Sequence, residues 1–128
     1  MRKESGMSGC IAVVDDDEDI VDYIRSHLQQ AGYKVEGFSS GYDVMRFVET
    51  TKVDLVVSDY RMNDGDGGSL SHFCQAQGVP CIIVSGYAVS DIVPYVPKGT
   101  DVLVKALCIH EGTLLKAIAA KISMKQSA

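Results

Sequence analysis

Short apolar runs alternate along this chain with stretches whose apolar residues recur at helical spacing. Cys10-Ile11-Ala12-Val13-Val14 reads as a buried strand that stops abruptly at Asp15-Asp16-Asp17. Ile20, Ile24 and Leu28 then recur every fourth position, with Val21 and Ala31 beside that stripe, which predicts a helix closed by Gly32. Tyr33 to Phe38 reads as a weaker strand, and Ser39-Ser40 as the cap of a helix presenting Val44, Phe47 and Val48. Asp54 to Ser58 is a third strand closing on Asp59. The glycines and small polar residues of Arg61–Gly68 predict a loop. A short helix with Leu70 and Phe73 follows, then a strand over Pro80–Val84 closing on Ser85. Pro94 and Pro97 each remove a backbone donor, so a helix between Tyr87 and Thr100 is short or irregular. Asp101–Val104 is a fifth strand closing on Lys105, and Leu114, Leu115, Ile118, Ala119 and Ile122 mark a final helix.

Strand followed by helix, about five times over, predicts an α/β domain with a parallel sheet covered on both faces. Such sheets bind ligands at the carboxyl ends of their strands. The residues expected there are Asp15, Asp16, Asp59, Ser85 and Lys105. Each alone has a plainer explanation: Asp15 and Asp16 as helix-capping acids, Asp59 as a turn residue, Ser85 and Lys105 as ordinary surface positions. Asp17, Glu18 and Asp19 suit that capping role. Together the five define a chemistry. Carboxylates crowded at one sheet end repel each other unless a divalent cation sits among them, and magnesium prefers such oxygen ligands while bridging to phosphate. A lysine beside a carboxylate can pair with it first and with a phosphoryl oxygen afterwards, and a serine hydroxyl can donate to another of those oxygens.

The composition narrows the possibilities. The 128 residues suit one domain, expected over 10–123 between tails at 1–9 and 124–128. A net charge of −5 argues against direct nucleic-acid binding as the main activity. No apolar run approaches the roughly 20 residues that span a bilayer, so no membrane contact is expected. Cys10, Cys74, Cys81 and Cys108 form no Cys-x-x-Cys pair, and His27, His72 and His110 have no zinc spacing. Reduced thiols in a cytoplasmic protein are the expectation.

On the motifs Ile11–Asp17, Asp54–Met62, Asp66-Gly67, Ile83–Tyr87 and Val104-Lys105, the chain resembles a response-regulator receiver domain of two-component signalling from about Cys10 to Ile122. The resemblance implies a flavodoxin-like, doubly wound five-stranded sheet of order 2-1-3-4-5. It implies Asp59 as phosphoacceptor, Asp16 as a direct ligand of Mg²⁺ (or Mn²⁺), Asp15 acting mostly through water, and the Arg61 backbone carbonyl completing the protein ligands. Ser85 takes the hydroxyl role, Lys105 the lysine role, and Gly86 keeps the site open. Arg61 and Tyr87 occupy positions that tune phosphorylation lifetime. The implied donor is a sensor histidine kinase or a histidine phosphotransfer protein, and the downstream effector is unspecified. Such a domain is not an enzyme toward other substrates; it catalyses only its own phosphorylation and dephosphorylation.

The chain also departs from the family pattern. Ala106 stands where a proline with a cis bond is usual, so the loop after Lys105 is expected to be trans. Val102 replaces the aromatic switch residue, and Asn63 a common proline. Two rivals follow: a phosphate-independent interaction module with the same fold, and a magnesium-dependent phosphatase with an aspartyl nucleophile. Arg61 counts against the phosphatase, which typically has a second Asp there. Gly65–Gly68 lacks the spacing of a dinucleotide loop, and a calcium loop from Asp64 would need a Glu where Gln75 stands.

Overall fold

The computed structural model describes residues 10–62, 65–105 and 112–127. Five parallel strands form one sheet: β1 (Cys10–Val14), β2 (Lys34–Phe38), β3 (Leu55–Asp59), β6 (Cys81–Ser85) and β7 (Asp101–Val104), in the order β2-β1-β3-β6-β7. Counting only these five, this is the 2-1-3-4-5 order expected. The helices are α1 (Glu18–Gln30), α2 (Gly41–Thr50), α3 (Gly67–Ala76), α4 (Val89–Ile92) and α5 (Thr113–Ser127).

Apolar runs without polar alternation form β1, β3 and β6 because both faces of the sheet are covered there, whereas β2 at the sheet's edge alternates Lys34, Val35 and Glu36. Successive residues bury on opposite sides. Ile11, Val13, Leu55, Val57, Ile82 and Val84 pack with Val21, Ile24 and Leu28 of α1 and Leu114 and Ile118 of α5. Ala12, Val14, Val56 and Ile83 pack with Val44 and Val48 of α2, Leu70 and Cys74 of α3, and Ile92 of α4. Phe47 completes the α2 stripe half-buried, its ring 5.0 Å from that of Phe38.

Helix ends follow local chemistry. The Asp17 carboxylate accepts from the Asp19 N–H at 3.0 Å, and Glu18 and Asp19 lie in the first turn of α1, where negative charge meets the positive end of the helix dipole. Gly32, at φ 101°, turns the chain back into β2. Ser40 caps α2 by accepting from the Asp43 N–H.

One expectation is corrected. The segment Arg61–Gly68 is not simply a loop. Arg61–Met62 (β4) pairs antiparallel with Gly65–Asp66 (β5), and α3 already begins at Gly67, capped by Asp66. A two-residue ladder is too short to leave an alternating pattern, and Gly67 and Gly68 serve close packing rather than a turn. A Cβ on Gly67 would stand 2.5 Å from the Asp59 carbonyl oxygen. The last helix carries the expected Leu114, Leu115, Ile118, Ala119 and Ile122 and extends from Thr113 to Ser127. The fourth helix is short, as expected: one turn over Val89–Ile92, then a 3₁₀ turn over Val93–Tyr95 containing Pro94. Asn63, Ala106, Cys108 and His110 lie outside the described residues, as does the expected trans loop after Lys105.

Candidate functional site

Strand register assembles the site. Val14 pairs with Ser58, so Asp15 and Asp59 follow side by side at the carboxyl ends of β1 and β3. Asp59 pairs with Val84, which puts Ser85 one residue further along β6, and Ser85 pairs with Val104, immediately before Lys105. All five residues singled out from the sequence therefore share one edge of the sheet.

Asp15, Asp16 and Asp59 each offer a carboxylate oxygen within 4.8 Å of the others. Asp15 is buried, its side chain only 4% exposed. Its Oδ1 accepts from the Asp17 N–H at 2.9 Å and its Oδ2 from Lys105 Nζ at 3.0 Å. Asp16 is exposed. Asp59, 12% exposed, accepts on Oδ1 from the Tyr60 N–H at 2.8 Å, and Lys105 Nζ lies 3.4 Å from the same oxygen. The lysine thus bridges two carboxylates and sits closer to Asp15 than to Asp59.

These charges perturb each other. Burial pushes the Asp59 carboxyl above its ordinary value and the neighbouring Asp15 charge adds to the rise, while Lys105 and the Tyr60 N–H oppose it. Burial alone would lower the Lys105 ammonium, but hydrogen bonding and attraction from Asp15 and Asp59 outweigh it, and its pKa is raised. One ammonium against three carboxylates leaves negative charge in excess. Oxygen-only donors with that imbalance suit a hard divalent cation, which would relieve what raises Asp59.

Ser85 is fully buried, and its Oγ accepts from the Tyr87 N–H at 3.0 Å. The Arg61 side chain reaches across to Tyr87: Nη1 donates to the phenol oxygen at 3.0 Å, and the guanidinium lies 5.6 Å from the ring centroid. A Cβ on Gly86 would meet nothing within 4 Å. Val102 is half-buried against the α2–α3–α4 side of the core.

Sequence reasoning named the charged residues and missed the packing that supports them. Gly67 closes on the Asp59 backbone, its N–H donating to the Tyr60 carbonyl at 2.6 Å. Cys74 and Cys81, dispersed in sequence, bring their thiols together on one side of the core, where hydrogen bonding to Cys74 and then burial push the Cys81 thiol well above its ordinary pKa. The signal for Gly67 lay in the Asp66-Gly67 pair, where a helix cap is followed by a residue without a side chain.

A family model described as the response regulator receiver domain matches residues 11–119. The chain belongs to this family. Membership makes this receiver domain a phosphoacceptor signalling module of the two-component type. The transcriptional regulatory protein GlrR of Escherichia coli is 34% identical over 70% of the chain, and the heme response regulator HssR of Staphylococcus epidermidis 32% identical over 74%. The chain spans 21% of the length of the first and 43% of the second. Among solved structures, the response regulator TrrA of Thermotoga maritima, in complex with Mg²⁺-BeF, superposes with a TM-score of 0.74 at 23% identity, covering 89% of this chain and 98% of that one. Among the described residues, no helix is long and apolar enough to cross a membrane.

Proposed function

We propose that Asp59 is the phosphoacceptor of this receiver domain. The observation that carries the assignment is the convergence of Asp15, Asp16 and Asp59 within 4.8 Å, with Lys105 bridging Asp15 and Asp59. Asp16 and Asp59 would hold Mg²⁺ (or Mn²⁺) directly, with the Arg61 backbone carbonyl. Asp15, whose two oxygens already accept from the Asp17 N–H and Lys105, would act through water. When bound, the cation neutralises phosphoryl oxygens and the carboxylates around them. The response regulator TrrA, solved with Mg²⁺-BeF, supports this donor set by likeness of fold.

An Asp59 oxygen attacks phosphorus, the bond from phosphorus to the leaving group breaks, and the leaving group departs with its electron pair. Lys105 moves its charge from the Asp59 carboxylate toward the incoming phosphoryl group, and the Ser85 hydroxyl donates a hydrogen bond to one phosphoryl oxygen. Little covalent work is required of the protein beyond positioning and neutralisation. The donor is a phosphohistidine on a sensor kinase or phosphotransfer protein, and the chain is otherwise no enzyme. The signal leaves by a population shift, because the modified aspartate makes contacts with Ser85 and Lys105 that favour one arrangement over another. Val102 stands where the family has an aromatic switch residue, so that shift involves no ring at this position.

Intact-mass measurement after treatment with acetyl phosphate and Mg²⁺ tests the assignment. One phosphoryl group on the wild type and none on Asp59→Asn is the expected result. An unmodified wild type under these conditions would point to a phosphate-independent interaction module.

A further inference from the structure

We propose that the cavity between the N-terminal halves of α2 and α3 binds a small organic cation, a protonated amine on a single apolar ring, with Asp66 as its counter-ion. This site is separate from the phosphoacceptor reading and does not depend on it. The cavity measures about 220 Å³ and is walled by Tyr42 and Met45 of α2, Met62 of β4, Asp66 of β5, and Ser69 and Leu70 of α3. That volume lies below the roughly 300–1,000 Å³ of pockets that take drug-sized ligands, so one ring with a short head group is the size it admits.

The walls define the chemistry. Leu70 is fully buried, Met45 and Met62 are half-buried against the same side of the core, and Tyr42 stands exposed at the rim. Two thioethers and a phenol ring make an adaptable apolar surface, and methionine sulfur is attracted to the edges of aromatic rings. Asp66 brings the one charge among these residues. Its Oδ1 accepts from the Ser69 N–H at 2.7 Å, and among the described residues no cation pairs with the carboxylate. An ionised carboxylate only accepts, and one N–H leaves most of its lone-pair sites open. The group opposite it must therefore donate, and a positively charged donor does so most strongly. The capping bond also holds the carboxylate in place, and its charge offsets the positive end of α3 that would otherwise repel a cation. The net charge of −5 acts in the same direction. Through Met62 and Asp66 an occupant touches both strands of the β4–β5 ladder, the segment by which the chain leaves Asp59.

Titration of the ¹⁵N-labelled protein, followed by amide shifts, tests this. Benzylammonium, benzyl alcohol and benzoate serve as probes, since they share a ring and differ in head-group charge. Benzylammonium is expected to bind in the millimolar range and to move the amides of Tyr42, Met45, Ser69 and Leu70. Benzyl alcohol should move the same amides with about 3- to 10-fold weaker affinity, the difference between a charged and a neutral donor, and benzoate should move none. Asp66→Asn substitutes a residue that caps a helix equally well and removes only the charge. It should bring the benzylammonium and benzyl alcohol affinities within about 2-fold of each other, with the alcohol's own affinity unchanged. Met45→Ala should weaken both probes alike, by about 3- to 10-fold, through lost sulfur–ring contact. Equal affinity for the three probes, a charge preference that survives in Asp66→Asn, shifts confined to amides around Asp15, Asp16 and Asp59, or no shift at tens of millimolar probe would each overturn the proposal.

Discussion

Replacing Gly67 with alanine asks whether close packing under Asp59 matters. The added Cβ would stand 2.5 Å from the Asp59 carbonyl oxygen, 3.0 Å from Tyr60 Cα and 3.0 Å from Ile83 Cδ1. Two of these three neighbours are backbone and cannot rotate aside. Overpacking of this kind costs about 1–3 kcal/mol, and immovable neighbours favour the upper half of that range. Replacing glycine in a helix returns about 0.5–1 kcal/mol through the reduced freedom of the unfolded chain. The net loss is about 1–2.5 kcal/mol, a fall in Tm of about 4–10 °C for a domain of this size. Two other glycines serve as controls. Gly78, at φ 75° with open space around its Cβ position, isolates backbone strain, so Gly78→Ala loses at most about 1.5 kcal/mol. Gly86 has neither a positive φ nor a neighbour within 4 Å, so Gly86→Ala stays within about 0.5 kcal/mol of the wild type. Urea unfolding followed by circular dichroism gives all three midpoints. If Gly67→Ala matched the wild type, or if Gly86→Ala fell further than Gly67→Ala, the packing argument would fail.

Three further outcomes are expected. Mg²⁺ at ten times its Kd should stabilise the wild type by about 1.4 kcal/mol in thermal unfolding, and Asp16→Asn should lose most of that gain. In metal-free buffer Asp59 has a folded pKa above its ordinary 3.8, so the native state holds its proton more tightly than the unfolded chain. This group's contribution to stability is therefore greatest below that value and falls as pH rises through the folded pKa. Asp59→Asn should remove that fall and be the more stable protein at neutral pH, as a pH series of urea midpoints will show. Cys74 and Cys81 should resist a thiol reagent until the chain unfolds, because both are buried and the Cys81 thiol is pushed well above its ordinary pKa. Reaction of either in native buffer at the rate of a small free thiol would contradict their placement.

The sheet was legible because burial on both faces forces uninterrupted apolar runs, and those runs are visible without coordinates. The chemical residues were legible for a related reason: a charge directly after such a run has few places to be except the sheet's rim. Contacts between side chains far apart in sequence left no such trace. Arg61 and Tyr87 are separated by 26 positions, and nothing in either stretch announces that they meet. Pro94 and Pro97 did announce the shortened fourth helix, because a missing N–H is a property of the residue itself. The β4–β5 ladder was hidden because two residues on each side cannot express a period.

The bond between Lys105 and Asp15 joins positions 90 apart. An ordering of events follows from that separation. A nascent chain that has laid down only its first three strands possesses Asp59 but not the ammonium of Lys105 that answers it, and contacts of such long range carry the cost of closing a long loop. The charge arrangement of Asp15, Asp59 and Lys105 is thus complete only in a molecule whose fifth sheet strand is in place.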